Sequence, residues 1–528
     1  MIQLNLTKCG VAAVCLLALT GCSTLVPQVE TLDATAPTLP ASFDAIPSAQ
    51  APGMRANDPL WWRRFADPSL ELVVTEALAH NTEILLAQAG VQASSAQLVQ
   101  RGSDRLPVVA VGGSASQRRA SLDDPSRAGL SAQPGYKRNA TTWTANASAA
   151  WDADLFGGLS AAERAAAQRL RSARALAAQT STAVAADAAT LLVNIRTLER
   201  RIVLADEAVA IESELSEVTQ AKRRGGAVSE ADVLRLRAQV DASVATLAQL
   251  RSELEAQVQS LTILLGSTPA HVKATLAART AQLPVPPDVT AAGLPSELLR
   301  RRPDVLSAQA DLSAASEDLA ATAAQQYPSL RLTSSLGWIA ATASSLGSSA
   351  ALFATIAPAL DWTVIDFGAA KARVEQRRAV ERQAWLRYQQ AVLTAFAQAD
   401  TAVRQLSLKR AEVSASARTV ASQREAWTLL RLQYEHGLID LTTALEAQRT
   451  LNGDQNAAVL AEQGLVVAAL NLYRAFGGGW DASSVPSEYA ARAKAAPGPT
   501  ALRLSGGNHA VVVGPSPTVS AQPSLFEQ

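Results

Sequence analysis

The residue types that most often carry out covalent or metal chemistry are few in this chain and widely spaced. Its four histidines lie far apart and show no metal-ligand spacing, at His80, His271, His436 and His509. All three cysteines fall at the N-terminus, at Cys9, Cys15 and Cys22. Disulfides and cysteine-ligated metals are therefore excluded from the rest of the chain, and we expect no metal site, no bound cofactor and no enzymatic activity.

One cysteine has a predicted chemical role. Lys8 precedes an apolar run that ends at Leu19 and is too short for a stable membrane anchor, as in an export signal. The run leads into Leu-Thr-Gly-Cys22, which resembles the cleavage box of bacterial lipoproteins. We expect residues 1–21 to be removed and the Cys22 thiol to carry a thioether-linked diacylglycerol, although an ordinary secretory signal also fits. By analogy with lipoproteins, Ser23 favours the outer membrane.

The remaining sequence repeats itself once over a long period. From Trp151 onward the offset is 211 positions, so that Trp151 matches Trp362 and Gly226 matches Gly437. Upstream the offset is 221, and Pro107 matches Pro328. A period this long is not that of a solenoid, whose repeats span roughly 20 to 50 residues. We therefore interpret the chain as a duplicated half-molecule.

Long coiled-coil helices dominate each half of the predicted fold. The second half has an apolar or small residue at every seventh position over seven heptads, at Trp385, Val392, Ala399, Leu406, Val413, Val420, Trp427 and Tyr434. Such a repeat imposes left-handed supercoiling. Glycines interrupt the helical pattern at Gly226 and Gly437, where a helix can end in the left-handed conformation. Each half is thus predicted to be one long hairpin of two helices.

Four strands are predicted between these helices, at about 106–118, 140–152, 327–340 and 350–363. Tryptophans near their ends, including Trp151 and Trp362, suit the boundary of a membrane, although core packing would explain them equally well. Four strands cannot enclose a useful bore, because eight strands leave an interior that side chains only just fill. Three copies would supply twelve strands, so this interpretation requires a homotrimer.

The domain organisation follows from these elements and from composition. Residues 22–56 form a predicted tether, 57–280 the first repeat, 281–293 a linker, 294–480 the second repeat, and 481–528 a flexible tail rich in Pro, Ser, Ala and Gly. Charges balance at 47 against 47, which favours no nucleic-acid partner. No apolar run long enough for a membrane helix is expected beyond the signal, so strands and not helices would span a membrane.

Several motifs together resemble the TolC/OprM-like outer membrane factors, in their NodT-type lipoprotein branch. They cover residues 59–480 and are Trp61-Trp62-Arg-Arg-Phe65, Asn81-Thr-Glu-Ile84, Trp151-Asp-Ala-Asp-Leu-Phe-Gly157, Gly293-Leu-Pro-Ser-Glu-Leu-Leu-Arg-Arg-Arg-Pro-Asp304, Asp366-Phe-Gly368, Tyr434-Glu-His-Gly437, Ala444-Leu-Glu-Ala-Gln448 and Leu472-Tyr-Arg-Ala-Phe-Gly-Gly-Gly-Trp480. Any one of these motifs alone is a weak signal, but their combination is highly specific.

The resemblance implies a mainly α protein with a membrane β-barrel. As a homotrimer in outer-membrane lipid, it would combine a twelve-stranded barrel with an α-helical tube of coiled-coil hairpins that extends into the periplasm. Such a channel is a passive exit duct for small toxic compounds or drugs, joined by a periplasmic adaptor to a proton-driven inner-membrane pump. Two alternatives remain open: a type I secretion duct for polypeptides, and a lipid-anchored coiled-coil scaffold without a pore.

The same resemblance assigns roles to residues near the hairpin tips. It places Glu446 at the periplasmic aperture, where the family usually has Asp, with Thr443 at a second position that is acidic in some members. Tyr434 matches an aromatic residue that fastens neighbouring hairpins. Alternatively, Glu446 is only a solvated charge on a helix face, and Tyr434 only packs in the seam between helices.

The tips at 223–232 and 435–442 are candidates for adaptor contact, although they could be hairpin turns alone. Their candidate residues are Arg223, Arg224, Gly226, Gly437 and Asp440. The basic run 300–302 is interpreted as a solvated helix start without a functional role.

Overall fold

The computed structural model describes residues 60–121, 137–277, 282–287 and 301–478. The predicted signal, Cys22, the tether 22–56 and the tail 481–528 lie outside these residues, as does most of the linker 281–293. The fold and the sites below therefore concern the two predicted repeats.

The first half begins with a 3-10 turn at Trp61–Phe65 and continues with five helices and two strands. These are α1 (Pro68–His80), α2 (Thr82–Ser103), β1 (Val108–Arg119), β2 (Asn139–Ala153), α3 (Gly158–Arg224), α4 (Glu230–Leu264) and α5 (Pro269–Ala277). The second half contains α6 (Pro303–Ala324), β3 (Ser329–Ala340), β4 (Leu352–Asp361), α7 (Ala369–Glu435) and α8 (Leu441–Ala475). The four strands lie close to their predicted ranges.

The two halves place helices of equal length in the same order. Helices α3 and α7 each have 67 residues, about 100 Å at 1.5 Å per residue, and α4 and α8 each have 35. Both long helices start after a glycine with positive φ, 71° at Gly157 and 93° at Gly368. In the first half, Asp154 accepts hydrogen bonds from the amides of Leu159 and Ser160, at 2.9 and 2.8 Å. Asp154 therefore caps the N-terminus of α3.

The helices pack through alanine-rich and heptad faces, as their periodicity predicts. Helix α3 contacts α2, α4, α6 and α8, and α7 packs against α6 and α8. In the heptad series of α7, Val392, Ala399, Leu406, Trp427 and Tyr434 are buried. Small side chains on α3, such as Ala188 and Ala189, are fully buried and let these helices approach closely. The contact of α8 with α3 joins the two hairpins.

One helix passes a test of length and composition for a membrane span. Among the described residues, α3 alone is long and apolar enough to cross a membrane, because its most apolar 18-residue window has a mean hydropathy of 1.2. Half of that window is buried inside the chain, as in an ordinary core helix. The window contains polar residues, so it is not the uninterrupted apolar run whose absence the sequence predicts, and composition alone is weak evidence that α3 enters a membrane.

The four strands form one antiparallel sheet in the order β1-β2-β3-β4. Because successive side chains alternate between faces, the strand registers assign an apolar face and a polar face. The apolar face carries Val109, Val111, Ala145, Ala147, Ala149, Trp151, Leu332, Leu336, Trp338, Leu352, Ile356 and Leu360. The polar face carries Ser114, Ser116, Thr144, Asn146, Ser148, Arg331, Thr333, Ser335 and Thr355. Trp151 and Trp338 are 39% and 38% exposed, so the interpretation of these tryptophans as core residues is wrong.

Two buried arginines join segments that are distant in sequence. Arg196 of α3 pairs with Asp67, the N-cap of α1, and donates to the Gln282 carbonyl at 2.9 Å. Burial raises the pKa of the Asp67 carboxyl, but hydrogen bonds from Arg196, Leu70 and Ser69 outweigh it and leave this pKa below its ordinary value. Arg302 at the start of α6 is only 7% exposed. The interpretation of the basic run 300–302 as a solvated helix start is therefore wrong for Arg302.

Candidate functional site at the hairpin tips

The first tip joins α3 to α4 through a tight glycine turn. Gly226 has φ 75°, and the amide of Ala227 returns to the Lys222 carbonyl at 2.9 Å, which closes the end of α3. Helix α4 then begins with a capping box, in which Ser229 and Asp232 each accept a hydrogen bond from the other's backbone amide. The turn is thus defined by local hydrogen bonds on both sides.

The second tip repeats this arrangement between α7 and α8. Gly437 also has φ 75°, and the amide of Leu438 donates to the Gln433 carbonyl at 2.8 Å. Asp440 caps α8 by accepting from the Thr443 amide at 2.8 Å. Hydrogen bonds from the Thr443 side chain and backbone hold the pKa of the Asp440 carboxyl below its ordinary value. Asp440 is therefore an exposed anion over the physiological pH range.

The charged residues predicted at the first tip are exposed to solvent. Arg223 lies 3.3 Å from Glu230 across the turn, and the two side chains are 48% and 62% exposed. Arg224 is also exposed. Exposed ion pairs contribute little to stability, typically about 0 to 1 kcal/mol. These charges are consequently available at the end of the hairpin without being needed for its fold.

Tyr434 is the residue that links the two hairpins near the tips. It is 2% exposed, and its hydroxyl lies 2.8 Å from the Thr219 hydroxyl of α3. The Lys222 ammonium donates to the Tyr434 carbonyl at 2.7 Å and lies 3.9 Å from the centre of its ring. Tyr434 therefore makes specific polar contacts with the first hairpin in addition to packing in the seam. Thr219 and Lys222 could not be predicted as partners of Tyr434, because nothing local signals a partner that is more than 200 positions away.

The structure separates the predicted aperture residues from Tyr434. The inward face of α8 consists of Leu441, Ala444, Leu445, Gln448 and Leu451, all buried. Thr443 and Glu446 are exposed, and with Asp440 they recur at intervals of three residues. They consequently share one solvent-facing side of the first turns of α8. No three metal-ligating side chains come together within the described residues.

A second polar link connects α3, α4 and α8 a few turns away from the hairpin tips. It could not be predicted from the sequence. Arg449 of α8 donates to the Gln239 amide oxygen of α4 at 3.1 Å, and the Gln239 amide group donates to Glu212 of α3 at 3.1 Å. Glu212 is 1% exposed and borders a pocket of about 200 Å³. A buried carboxylate is costly unless it is hydrogen-bonded, and Gln239 stabilises only one of the two Glu212 oxygens, because Oε2 is buried without a partner among the described residues.

Residues 73–267 and 294–478 match the family described as "Outer membrane efflux protein". The chain belongs to this family. The two matched segments correspond to the two sets of helices and strands, one segment to each half of the chain.

Two relatives each align with 89% of the chain. It is 26% identical over 471 residues to the probable efflux pump outer membrane protein TtgC of Pseudomonas putida, covering 89% of this chain and 95% of TtgC. It is 28% identical over 468 residues to the pyoverdine export outer membrane protein OpmQ of P. putida, covering 89% and 97%. The homologues are thus outer membrane proteins of efflux and export systems.

Solved channel structures have the same fold. The outer-membrane channel OprN superimposes with a TM-score of 0.77 at 29% identity, covering 87% of this chain and 99% of OprN. The CmeC outer membrane channel of Campylobacter jejuni gives a TM-score of 0.79 at 20% identity, covering 89% and 98%, which supports the fold alone. The resemblance found in the sequence motifs is confirmed.

Proposed function

We propose that this chain is the outer membrane channel of a tripartite efflux system. It would serve as a passive exit duct for small toxic compounds or drugs, which a proton-driven inner-membrane pump delivers through a periplasmic adaptor. The observation that carries the proposal is the sheet, which has one apolar face, one polar face and two edge strands, β1 and β4. Such a sheet suits a wall between lipid and water once its edges are paired.

Pairing those edges requires more than one copy of the chain. In lipid, each unsatisfied backbone group costs several kcal/mol, so an open sheet edge is not stable there. Four strands from each of three copies would give a closed barrel of twelve, wide enough for a polar interior. The proposal therefore includes a homotrimer in outer-membrane lipid, with its helical hairpins in the periplasm and a lipid on Cys22.

Purified protein in a planar lipid bilayer tests this proposal. We expect discrete single-channel currents and a native mass of three chains. A bilayer that stays insulating even with a variant that loosens the closed tips, Tyr434→Phe, or material that sediments as a single chain, would contradict the channel and favour the lipid-anchored scaffold.

The exposed band on α8 supports a charged aperture at the periplasmic end. Asp440 and Glu446 would contribute carboxylates from each copy, and rings of acidic side chains favour cations. We expect Glu446→Ala to lower the cation-over-anion permeability ratio, by roughly five-fold if a permeating cation loses about 1 kcal/mol of attraction. The reversal potential in a salt gradient measures this ratio. Glu425→Ala is the control, because it removes another exposed carboxylate, on α7 and farther from the tip. If the two variants lowered the permeability ratio equally, the assignment of Glu446 to the aperture would be contradicted.

The contact between Tyr434 and Thr219 supports a closed resting state held at the tips. We expect Tyr434→Phe to weaken that state by about 1 kcal/mol, because the buried Thr219 hydroxyl loses its partner. Open probability or conductance in the bilayer should rise. Thr219→Val breaks the same hydrogen bond, so the double variant should add little to either single variant. Fully additive effects would show that this contact is not the one that holds the channel closed.

A further inference from the structure

Charged residues on the polar face of the described strands lie only near the two ends of the sheet. The alternation of side chains assigns four of them to this face, at Arg118, Asp152, Arg331 and Asp361. Arg118 lies near the end of β1 that points away from the helices, which we call the far end. The other three lie where β2, β3 and β4 adjoin the helices, which we call the helix end. Arg118 is aligned with Ala140, so about 40 Å of strand separates it from Asp152.

The helix end has an excess of negative charge on the polar face. Arg331 Nε lies 3.5 Å from Asp152 Oδ1, so these two charges largely compensate each other. Asp361 is exposed and is aligned with Ser329. The Asp361 carboxylate has no hydrogen-bond or ion-pair partner among the described residues. Each chain therefore presents one uncompensated carboxylate at this end.

The far end is basic. Arg118 and Arg119 are exposed, and neither guanidinium has a partner in the part of the chain that the structure describes. From residue 118 to residue 138 the sequence contains five Lys or Arg residues and two Asp residues. The connection between β3 and β4, residues 341–351, contains no charged residue in its sequence. The β1–β2 hairpin therefore determines the sign of the charge at this end, and that sign is positive.

We propose that the polar face lines a bipolar lumen, in which Arg118 attracts anions to the far end and Asp361 attracts cations to the helix end. The inference rests on the proposed function, because it needs the polar face to line the water-filled side of a barrel. The field between the two ends pulls anionic groups away from the helices and towards the far end. Arg118 and Asp361 are thus specificity-determining residues for charged solutes, and solutes with an anionic group are the class whose exit this field favours.

Thiol reagents of opposite charge test the sign of the potential at each end. Ser116→Cys places a thiol on the same face as Arg118, about 7 Å away along β1, and Ser329→Cys places one opposite Asp361. The probes are a sulfonate-bearing and a trimethylammonium-bearing methanethiosulfonate, applied to protein in lipid vesicles. The measured quantity is the anionic reagent's rate divided by the cationic reagent's rate. Both reagents attack the same thiolate, so the pKa of the thiol cancels in this ratio.

Each end should respond to removal of its own charge. In about 0.1 M salt we expect Arg118→Gln to lower the ratio at Ser116→Cys roughly three-fold. Asp361→Asn should raise the ratio at Ser329→Cys by at least as much, because that charge is closer to its probe. In about 1 M salt both changes should nearly vanish, since the screening length falls to about 3 Å.

Arg119→Gln is the matched control, because Arg119 is the next residue of β1 and lies on the apolar face. It should change the ratio at Ser116→Cys by no more than about 1.5-fold. The unsubstituted protein is the blank, since Cys22 is the one cysteine expected in its mature chain. Equal effects of Arg118→Gln and Arg119→Gln, no effect of Arg118→Gln or of Asp361→Asn, or changes of one sign at both ends would overturn the bipolar lumen.

Val111→Cys distinguishes that outcome from failure of the proposed function. Val111 lies on the apolar face of β1, so in lipid its cysteine should react with neither reagent. If Val111→Cys reacted as fast as Ser116→Cys, or if neither polar-face cysteine reacted, the sheet would not separate lipid from water. Such a result would contradict the channel itself, whereas reactive polar-face cysteines with unchanged ratios would contradict only the bipolar lumen.

Discussion

Replacing Gly437 with isoleucine is expected to reduce efflux to the level of cells that lack the protein, while the oligomer remains intact. Gly437 has φ 75°, where a residue with a Cβ pays roughly 1–2 kcal/mol and a β-branched residue pays more. A Cβ at this position would meet nothing within 4 Å, so the cost falls on the turn and not on packing. The tip would change shape at the surface proposed to meet the adaptor.

Two measurements and a matched variant separate docking from folding. Accumulation of a fluorescent pump substrate in cells reports efflux, and the native mass of the solubilised protein reports assembly. Gly437→Asn is the control, because asparagine tolerates the left-handed conformation and should keep most of the efflux. If Gly437→Ile also abolished the oligomer, the tip would be required for folding and its assignment to docking would fail.

Replacing Arg302 with leucine is expected to destabilise the protein by about 3–5 kcal/mol, the usual cost of breaking a buried charge pair. The guanidinium donates to the Asp304 carboxylate at 2.7 and 3.0 Å, to the Ala475 carbonyl at 2.8 Å and to Gln398 at 2.7 Å. It thereby joins the start of α6 to the end of α8 and to α7. Leucine would leave the buried Ala475 carbonyl and the partly buried Asp304 and Gln398 acceptors without this donor.

The heat-denaturation temperature of the solubilised protein measures this loss. Arg301→Leu is the matched control, since Arg301 is the exposed neighbour and its replacement should change the temperature little. A second variant, Arg302→Leu with Asp304→Asn, should recover part of the stability, because it removes the carboxylate that the first change leaves unpaired. Equal denaturation temperatures for Arg302→Leu and the unsubstituted protein would contradict the proposed structural role of Arg302.

Much of this fold could be predicted from the sequence because its determinants are local. The heptad series of α7 predicts the buried seam, since residues seven apart lie on one side of a helix. Gly226 and Gly437 predict the tips, where the structure finds positive φ at both. The alternation of apolar and polar residues predicts the strands and their two faces. The aperture and adaptor roles of Glu446, Thr443 and the tip residues stay predictions.

The tertiary structure alone decided how distant segments meet. Thr219 and Lys222 become partners of Tyr434 only when the tip ends of α3 and α7 meet, and no local pattern records that contact. Arg302 looks like a solvated charge in a basic run, yet the middle of α7 and the end of α8, which enclose it, come from elsewhere in the chain. Hydrophobic periodicity therefore determined the helices, strands and turns, because it acts between near neighbours. The buried polar contacts were decided by packing, because a hydrogen bond or an ion pair in the interior depends on which surfaces the whole fold brings together.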